Sequence, residues 1–317
     1  MEQTFCAGEI LQRVIAFCHM PVFFFCSGYF LQHSLNKHSI RELMGDKVRK
    51  LVVPYICWSF IAFSANMLLA IQNDAIIQIA GKEFGDIFIY ARSVWFLIVL
   101  FITQFLSICF IYIGEHIHVN KYAIMLLSWI LISICIPDVY FSIYKFKWLF
   151  PFHIIGMYYA ENKEKLNGMR KYRMVSILFP ILCLTLYNPL YYNMYLEFHY
   201  EDIKAGGMGA VYYLVSLLGI LFVFACALLL EKTKLGNAYA CIGKRSMEIY
   251  VMHMLFIKFI VVVPPQLYGN DSIWTYVYIL LYSLIIIGLI LLLAGKFLEK
   301  FRIYRIMVGN EGKKRRE

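Results

Sequence analysis

The sequence predicts an all-α protein, a polytopic bundle of about nine transmembrane helices with a cytoplasmic C-terminus. The first observation is composition: of 317 residues, 61% are hydrophobic and only 16% are charged, whereas a soluble domain carries about 25% charged residues. The second is that the apolar residues form runs long enough to approach the width of a bilayer. The third is that basic residues cluster between those runs, which is how membrane helices are oriented.

Nine apolar runs approach the ~20 residues, within a range of ~17–25, that a helix needs to cross the hydrocarbon. The fifth run is the shortest and contains Pro151. The predicted spans are residues 10–31, 51–71, 87–113, 121–137, 146–160, 174–190, 209–230, 246–264 and 274–297. We interpret residues 1–317 as a single integral-membrane domain.

The distribution of Lys and Arg predicts the orientation of these spans. Connecting segments on one side hold 23 basic residues, those on the other side hold 6, and Lys258 lies within a span. The richer side is cytoplasmic by the positive-inside rule. This places the C-terminus in the cytoplasm and residue 1 outside, and it requires the short fifth run to cross.

Charge and cysteine patterns exclude several other classes of protein. The net charge is +10, but the basic residues stand beside apolar runs and form no basic domain of the kind that binds nucleic acid. The nine cysteines are scattered without a CxxC pair, so neither a disulfide framework nor a zinc site is predicted. We therefore expect contact with membrane lipids, no nucleic-acid partner and no metal.

Two histidines within predicted spans are candidate site residues, because an ionisable group in hydrocarbon is costly and indicates a function by default. His19 lies near the middle of the first span, two residues before Pro21, which frees a helix carbonyl and favours a kink. In the eighth span, Ser246, Tyr250 and His253 are spaced four and three residues apart, so they share one helical face. For both sites the alternative is a structural hydrogen bond between helices.

A third candidate is the pair of basic residues at the cytoplasmic start of the second span. Lys47 and Lys50 are three residues apart and share a helical face. Two ammonium groups on one face suit phosphate binding, although on composition alone anchoring by the positive-inside rule is the favoured interpretation. Trp95, within the third span, suits either the interfacial aromatic belt or the core.

Five segments, in the same order along the chain, resemble those of the acyltransferase 3 family of integral membrane acyltransferases. FCHMPVFFFCSGYFL is similar to the family's FHMPLFFFxSGY, and DKVRKLVVPY resembles its basic-x-x-basic-L-x-x-P-Y segment. VWFLIVLFI looks like LWFLxALF, and WLFPFHIIGMYYA is similar to FFPFFLLGYYL. IGKRSMEIYVMH resembles IGxxSLxIYLxH. The five segments cover most of the chain.

The sequence departs from this family at its start. Members usually begin with one further helix that carries an essential histidine, and they have ten helices with both termini cytoplasmic. This sequence opens directly into what resembles the second family helix, so we expect the domain to be N-terminally incomplete. The intramembrane imidazoles that match the resemblance are His19 and His253, which we expect to line the acyl-transfer cavity. Ser246, Tyr250 and Trp95 are expected to support them.

The resemblance implies a membrane-bound O-acyltransferase of a bacterial-type plasma (inner) membrane. It would move an acyl group from acyl-CoA, expected to be acetyl-CoA, to a hydroxyl of a cell-surface glycan or lipid-linked saccharide. Lys47 and Lys50 would then face the phosphates of CoA. Two alternatives stay open, namely a carrier or flippase of a lipid-linked glycan and an inactive remnant of an acyltransferase. Binding of acyl-CoA distinguishes the first of these, because a carrier has no need of it.

Overall fold

The fold is helical throughout the part of the chain that our computed structural model describes, which is residues 7–71, 76–91, 94–138, 140–162, 208–260 and 273–309. No strand occurs among these residues. The α-helices are α1 (Ala7–Leu35), α2 (Ile40–Lys47), α3 (Val53–Ala70), α4 (Ile76–Phe84), α5 (Trp95–Ile117), α6 (Lys121–Cys135), α7 (Ile143–Glu161), α8 (Met208–Leu230), α9 (Lys234–Gly243), α10 (Ser246–Ile260), α11 (Ile273–Leu292) and α12 (Arg302–Met307).

Four helical stretches among the described residues are long and apolar enough to cross a membrane. They are Ile40–Ala70, Trp95–His116, Tyr212–Leu230 and Leu280–Lys300. Helices α1, α6, α7 and α10 stand where the first, fourth, fifth and eighth spans were predicted, while the sixth, at 174–190, lies outside the described residues. The helical membrane-type architecture is thus confirmed, and the number of nine spans and the cytoplasmic C-terminus stay predictions.

The third span was predicted to begin too early, at residue 87. The chain instead forms helix α4, then a π-helical turn at Gly85–Ile89. It breaks at Ala91, whose φ of 53° is left-handed, and α5 begins only at Trp95. A continuous apolar run does not reveal such a break, because hydropathy carries no information about backbone dihedral angles.

The described helices belong to two compact units. The first comprises Met1–Lys37, His118–Asp138 and Lys147–Asn237, and the second comprises His38–Ile117, Val139–Phe146 and Ala238–Glu317.

In the first unit, helices α1 and α7 cross with their backbones in contact. A Cβ atom placed on Gly28 of α1 would lie 2.0 Å from the carbonyl oxygen of His153, and one placed on Gly156 of α7 would lie 2.0 Å from that of Phe25. Each helix therefore presents a glycine to the backbone of the other, which is the way small residues let membrane helices approach closely. Helix α1 continues through Pro21 without interruption.

In the second unit, the short helix α12 packs against the start of α3. The indole N–H of Trp58 donates a hydrogen bond to the carbonyl of Met307 at 2.9 Å. The hydroxyl of Tyr55 donates to the carbonyl of Ile87 at 3.2 Å. Both aromatic side chains are 5% exposed. The start of α3 is therefore hydrogen-bonded to two other segments of the second unit.

The helix crossing in the first unit predicts a selective effect of alanine. Gly28→Ala forces a Cβ into the His153 carbonyl, and overpacking of a fitted contact costs about 1–3 kcal/mol. We expect a lower melting temperature for the purified protein in detergent. Gly288→Ala is the matched control, since a Cβ at that helical position meets nothing within 4 Å. Equal melting temperatures for the two variants would contradict the close crossing.

Candidate functional site

The imidazole of His253 lies half-buried on α10 in the second unit. Its Nδ1 atom lies 2.5 Å from the carbonyl oxygen of Tyr250 and 3.2 Å from that of Ile249. A carbonyl oxygen only accepts hydrogen bonds, so Nδ1 carries the proton and Nε2 of the neutral ring keeps its lone pair. The backbone of α10 thus selects the tautomer in which Nε2 accepts a proton.

Tyr250 joins α10 to the first turn of α5. Its hydroxyl oxygen accepts a hydrogen bond from the backbone N–H of Phe96 at 3.2 Å, and the two rings meet edge to face with centroids 5.3 Å apart. Phe96 is the second residue of α5, so this N–H has no acceptor within its own helix. The structure therefore brings Tyr250 to the residue that follows Trp95, whereas Ser246 is exposed at the first position of α10.

The sequence analysis missed Lys145, which covers Trp95. Its Nζ atom lies 3.7 Å from the centroid of the Trp95 ring, at the distance of a cation–π contact. Burial lowers the pKa of the Lys145 ammonium to about 8. The charge count treated this lysine as part of a connecting loop, because no sequence pattern indicates that it packs on the tryptophan.

Lys47 and Lys50 lie in different surroundings, although the sequence analysis placed them on one helical face. Lys47 ends α2 and is half-buried. Lys50 lies in a π-helical turn over Val48–Val52, and its exposed ammonium is paired with Asp46 at 2.7 Å. A π-turn is wider than an α-turn, and such turns occur frequently at functional sites.

The backbone at Lys50 is held by the end of α12. Gly309 has a φ of 71°, and a Cβ on it would lie 2.9 Å from the Cα atom of Lys50. A side chain at this position would be strained and would displace the Lys50 backbone.

A buried ion network at the start of α10 was also missed. Arg245 contacts the carboxylate of Glu248 at 3.0 Å and that of Glu299 at 2.9 Å. The side chain of Glu248 is 5% exposed and that of Glu299 is 54% exposed. The guanidinium also lies beside Gly295, where a Cβ would stand at an ordinary contact distance of 3.5 Å from its carbon. Arg245 and Glu248 are three residues apart in the sequence, and this helical spacing was the signal that could have indicated their ion pair.

The first unit holds the remaining predicted histidine and one that the sequence analysis did not consider. His19 is half-buried in α1. His153 is fully buried in α7, and its Nδ1 lies 2.7 Å from the hydroxyl oxygen of Ser27 on α1. That hydroxyl donates to the carbonyl of Phe24 at 2.9 Å, so His153 is the donor to Ser27 and joins the two helices. A histidine in place of the last phenylalanine of the family's FPFF segment was the signal.

Comparisons with known proteins bear on the family of the chain. A family profile described as an acyltransferase domain, that of the acyltransferase 3 family, matches residues 3–293. The nodulation protein NolL of Mesorhizobium japonicum is 21% identical over 157 residues, which cover 48% of this chain and 38% of NolL. No solved structure shows a significant match.

The described fold is that of a helical membrane protein, and its candidate site residues include an imidazole on α10 and a basic segment before α3. Because the family match covers most of the chain, the protein belongs to the acyltransferase 3 family. The aligned segment spans less than half of NolL.

The ion network predicts unequal effects of removing its two carboxylates. Glu248→Ala leaves the half-buried Arg245 without its buried partner, which costs roughly 1–3 kcal/mol. Glu299→Ala removes an exposed partner, and exposed pairs contribute about 0–1 kcal/mol. We expect the first variant to lose monodisperse protein at a lower temperature than the second during heating before gel filtration. The reverse order would show that Glu248 is not the main partner of Arg245.

Proposed function

We propose that the protein is a membrane-bound O-acyltransferase that moves an acyl group from acyl-CoA, expected to be acetyl-CoA, to a hydroxyl of a glycan. The acceptor class is a cell-surface glycan or lipid-linked saccharide, and the location is a bacterial plasma membrane. Membership in the acyltransferase 3 family supports the reaction type. Family membership also weighs against the carrier reading, because a carrier would move the saccharide without an acyl donor.

The observation that carries this proposal is the tautomer of His253. A sugar hydroxyl is a weak nucleophile near neutral pH, and a general base increases the rate by ~10²–10⁴. Nε2 of His253 accepts the hydroxyl proton while the oxygen attacks the thioester carbonyl. The C–S bond then breaks, the thiolate of CoA leaves, and the imidazolium returns the proton to it. The carbonyl of Tyr250 holds the ring through Nδ1 during both proton transfers.

The basic segment is proposed to bind the donor. CoA carries several phosphates, and Lys50 presents an exposed ammonium in a turn whose backbone is held by Gly309. Lys47, half-buried three residues earlier, adds a second charge. Asp46 competes with the phosphates for Lys50, because the two side chains already form an ion pair at 2.7 Å.

His19 is the alternative candidate for the general base. It lies half-buried in α1 of the first unit. The variants described next distinguish the His253 assignment from this alternative.

The His253 assignment predicts a loss of transfer in the full chain. His253→Ala is expected to lower the rate of transfer of radiolabelled acetyl from acetyl-CoA into lipid-linked glycan by ~10²–10⁴, with little change in the KM for acetyl-CoA. His116→Ala is the matched control, because its Nδ1 also contacts a carbonyl one turn back, at 2.9 Å, but its side chain is exposed. Unchanged transfer by His253→Ala together with loss in His19→Ala would make His19 the base.

The proposed donor site predicts opposite changes in the KM for acetyl-CoA when its lysines and Asp46 are replaced. Replacing both Lys47 and Lys50 with alanine is expected to raise the KM for acetyl-CoA by about tenfold or more, since each charge-assisted contact is worth about 1.5–3 kcal/mol. Asp46→Asn is expected to lower that KM, because it releases Lys50 from its ion pair. The same double replacement at Lys232 and Lys234, both exposed, controls for the loss of charge. A KM that is indifferent to all three changes would leave the segment as a topology anchor only.

A further inference from the structure

Lys145 is a half-buried cation whose neighbours are aromatic rings. Its Nζ lies 3.7 Å from the centroid of Trp95 and 5.5 Å from that of Tyr144. Among the described residues, no carboxylate lies within ion-pair distance of it. Lys147 differs in this respect, because it contacts the carboxylate of Asp138 at 2.6 Å. The charge of Lys145 is therefore stabilised by ring faces alone in this part of the protein.

The turn that precedes α7 and Lys145 is hydrogen-bonded to the chain at Ile89 and Tyr90. The N–H of Phe141 donates to the carbonyl of Ile89 at 3.0 Å, and the hydroxyl of Ser142 donates to that of Tyr90 at 3.0 Å. Phe141 and Ser142 both have a φ of 50°, a left-handed conformation that surrounding contacts must maintain. The rings of Tyr90 and Tyr140 stack with an interplanar angle of 8°.

The position of Lys145 is unfavourable for a cation and favourable for an anion. It is the third residue of α7, where the positive end of the helix dipole repels a cation and attracts an anion. Partial burial adds a desolvation cost to the charge. An anionic group beside Nζ would pair with the ammonium and would lie near the positive end of the helix dipole. It would therefore offset both the dipole repulsion and the desolvation cost.

The ring faces around this cation suit a ligand with a flat, weakly polar body. Small-molecule sites are lined mainly by aromatic and apolar side chains with a few charged groups that orient the ligand. Here both rings beside Nζ, those of Trp95 and Tyr144, are half-buried. Trp95 immediately precedes Phe96, whose N–H donates a hydrogen bond to the hydroxyl of Tyr250. Trp95 and His253 therefore lie on α5 and α10, the two helices that this hydrogen bond joins.

We propose that Lys145, together with Trp95, binds the carboxylate or phosphate of an anionic saccharide acceptor. This inference rests on the proposed function, because the saccharide is the acceptor of the acyl group. It narrows the acceptor class from glycans in general to acidic glycans. The same anionic chemistry occurs in phospholipid headgroups, so the experiment separates the two sources.

The test compares an acidic trisaccharide with a neutral one of the same skeleton. Binding of trigalacturonate and of galactotriose is measured by calorimetry on the full chain in phosphatidylcholine nanodiscs at pH 7. We expect trigalacturonate to bind about tenfold or more tightly, the effect of one charge-assisted contact. Lys145→Gln is expected to lose the preference and Lys145→Arg to keep it. Lys82→Gln, at an exposed lysine of α4, is the matched control.

The preference also has a predicted pH dependence. The pKa of Lys145 is lowered to about 8 by burial, so its charge is present below that pH and lost as the pH rises through it. Trigalacturonate stays fully ionised over this range. We therefore expect the preference to fall between pH 7 and pH 9 in the natural protein and to persist in Lys145→Arg, whose guanidinium stays charged.

Three outcomes would overturn the inference. The natural protein could bind both trisaccharides equally, or Lys145→Gln could keep the preference in a form that elutes like the natural protein on gel filtration. Phosphatidylglycerol nanodiscs could abolish the preference by occupying Lys145, which would assign the site to a lipid phosphate. A failure of the proposed function looks different: acidic binding would persist with no acetyl transfer to either trisaccharide.

Discussion

The hydrogen bond between Tyr250 and the start of α5 is the interaction on which the arrangement of the second unit depends. A helix start leaves N–H groups without intrahelical acceptors, and hydrocarbon has no water to satisfy them. The Tyr250 hydroxyl accepts the one from Phe96. The same residue offers its carbonyl to Nδ1 of His253. One tyrosine thus accepts a hydrogen bond from the start of α5 and selects the tautomer of the imidazole.

Three buried or half-buried cations, Lys145, Lys147 and Arg245, are stabilised in different ways, either by carboxylates or by aromatic rings. Lys147 contacts Asp138 and Arg245 contacts two carboxylates, so each is neutralised within the fold. A cation neutralised in this way contributes to structure and has little need of a ligand. Lys145 has only ring faces beside it among the described neighbours, and a charge of that kind is available to a ligand.

Family membership and site chemistry answer separate questions. The match over residues 3–293 establishes the family, whereas identity of 21% with NolL extends over less than half of either chain. A shared fold hosts different acceptors, so the acceptor follows from the residues that line the site. The acceptor site proposed for this chain contains a lysine over a tryptophan, which the five family-like segments do not contain as a unit.

Composition and the spacing of apolar runs determined that the chain is a helical membrane protein, because only a helix satisfies its own backbone in hydrocarbon. Five ordered segments indicated the family, and a predicted position within apolar spans singled out His19 and His253 as candidates. The left-handed break at Ala91 and the cover of Trp95 by Lys145 were decided only in the tertiary structure. Both depend on contacts between residues far apart in the chain, whereas hydropathy and helical spacing report only on neighbours.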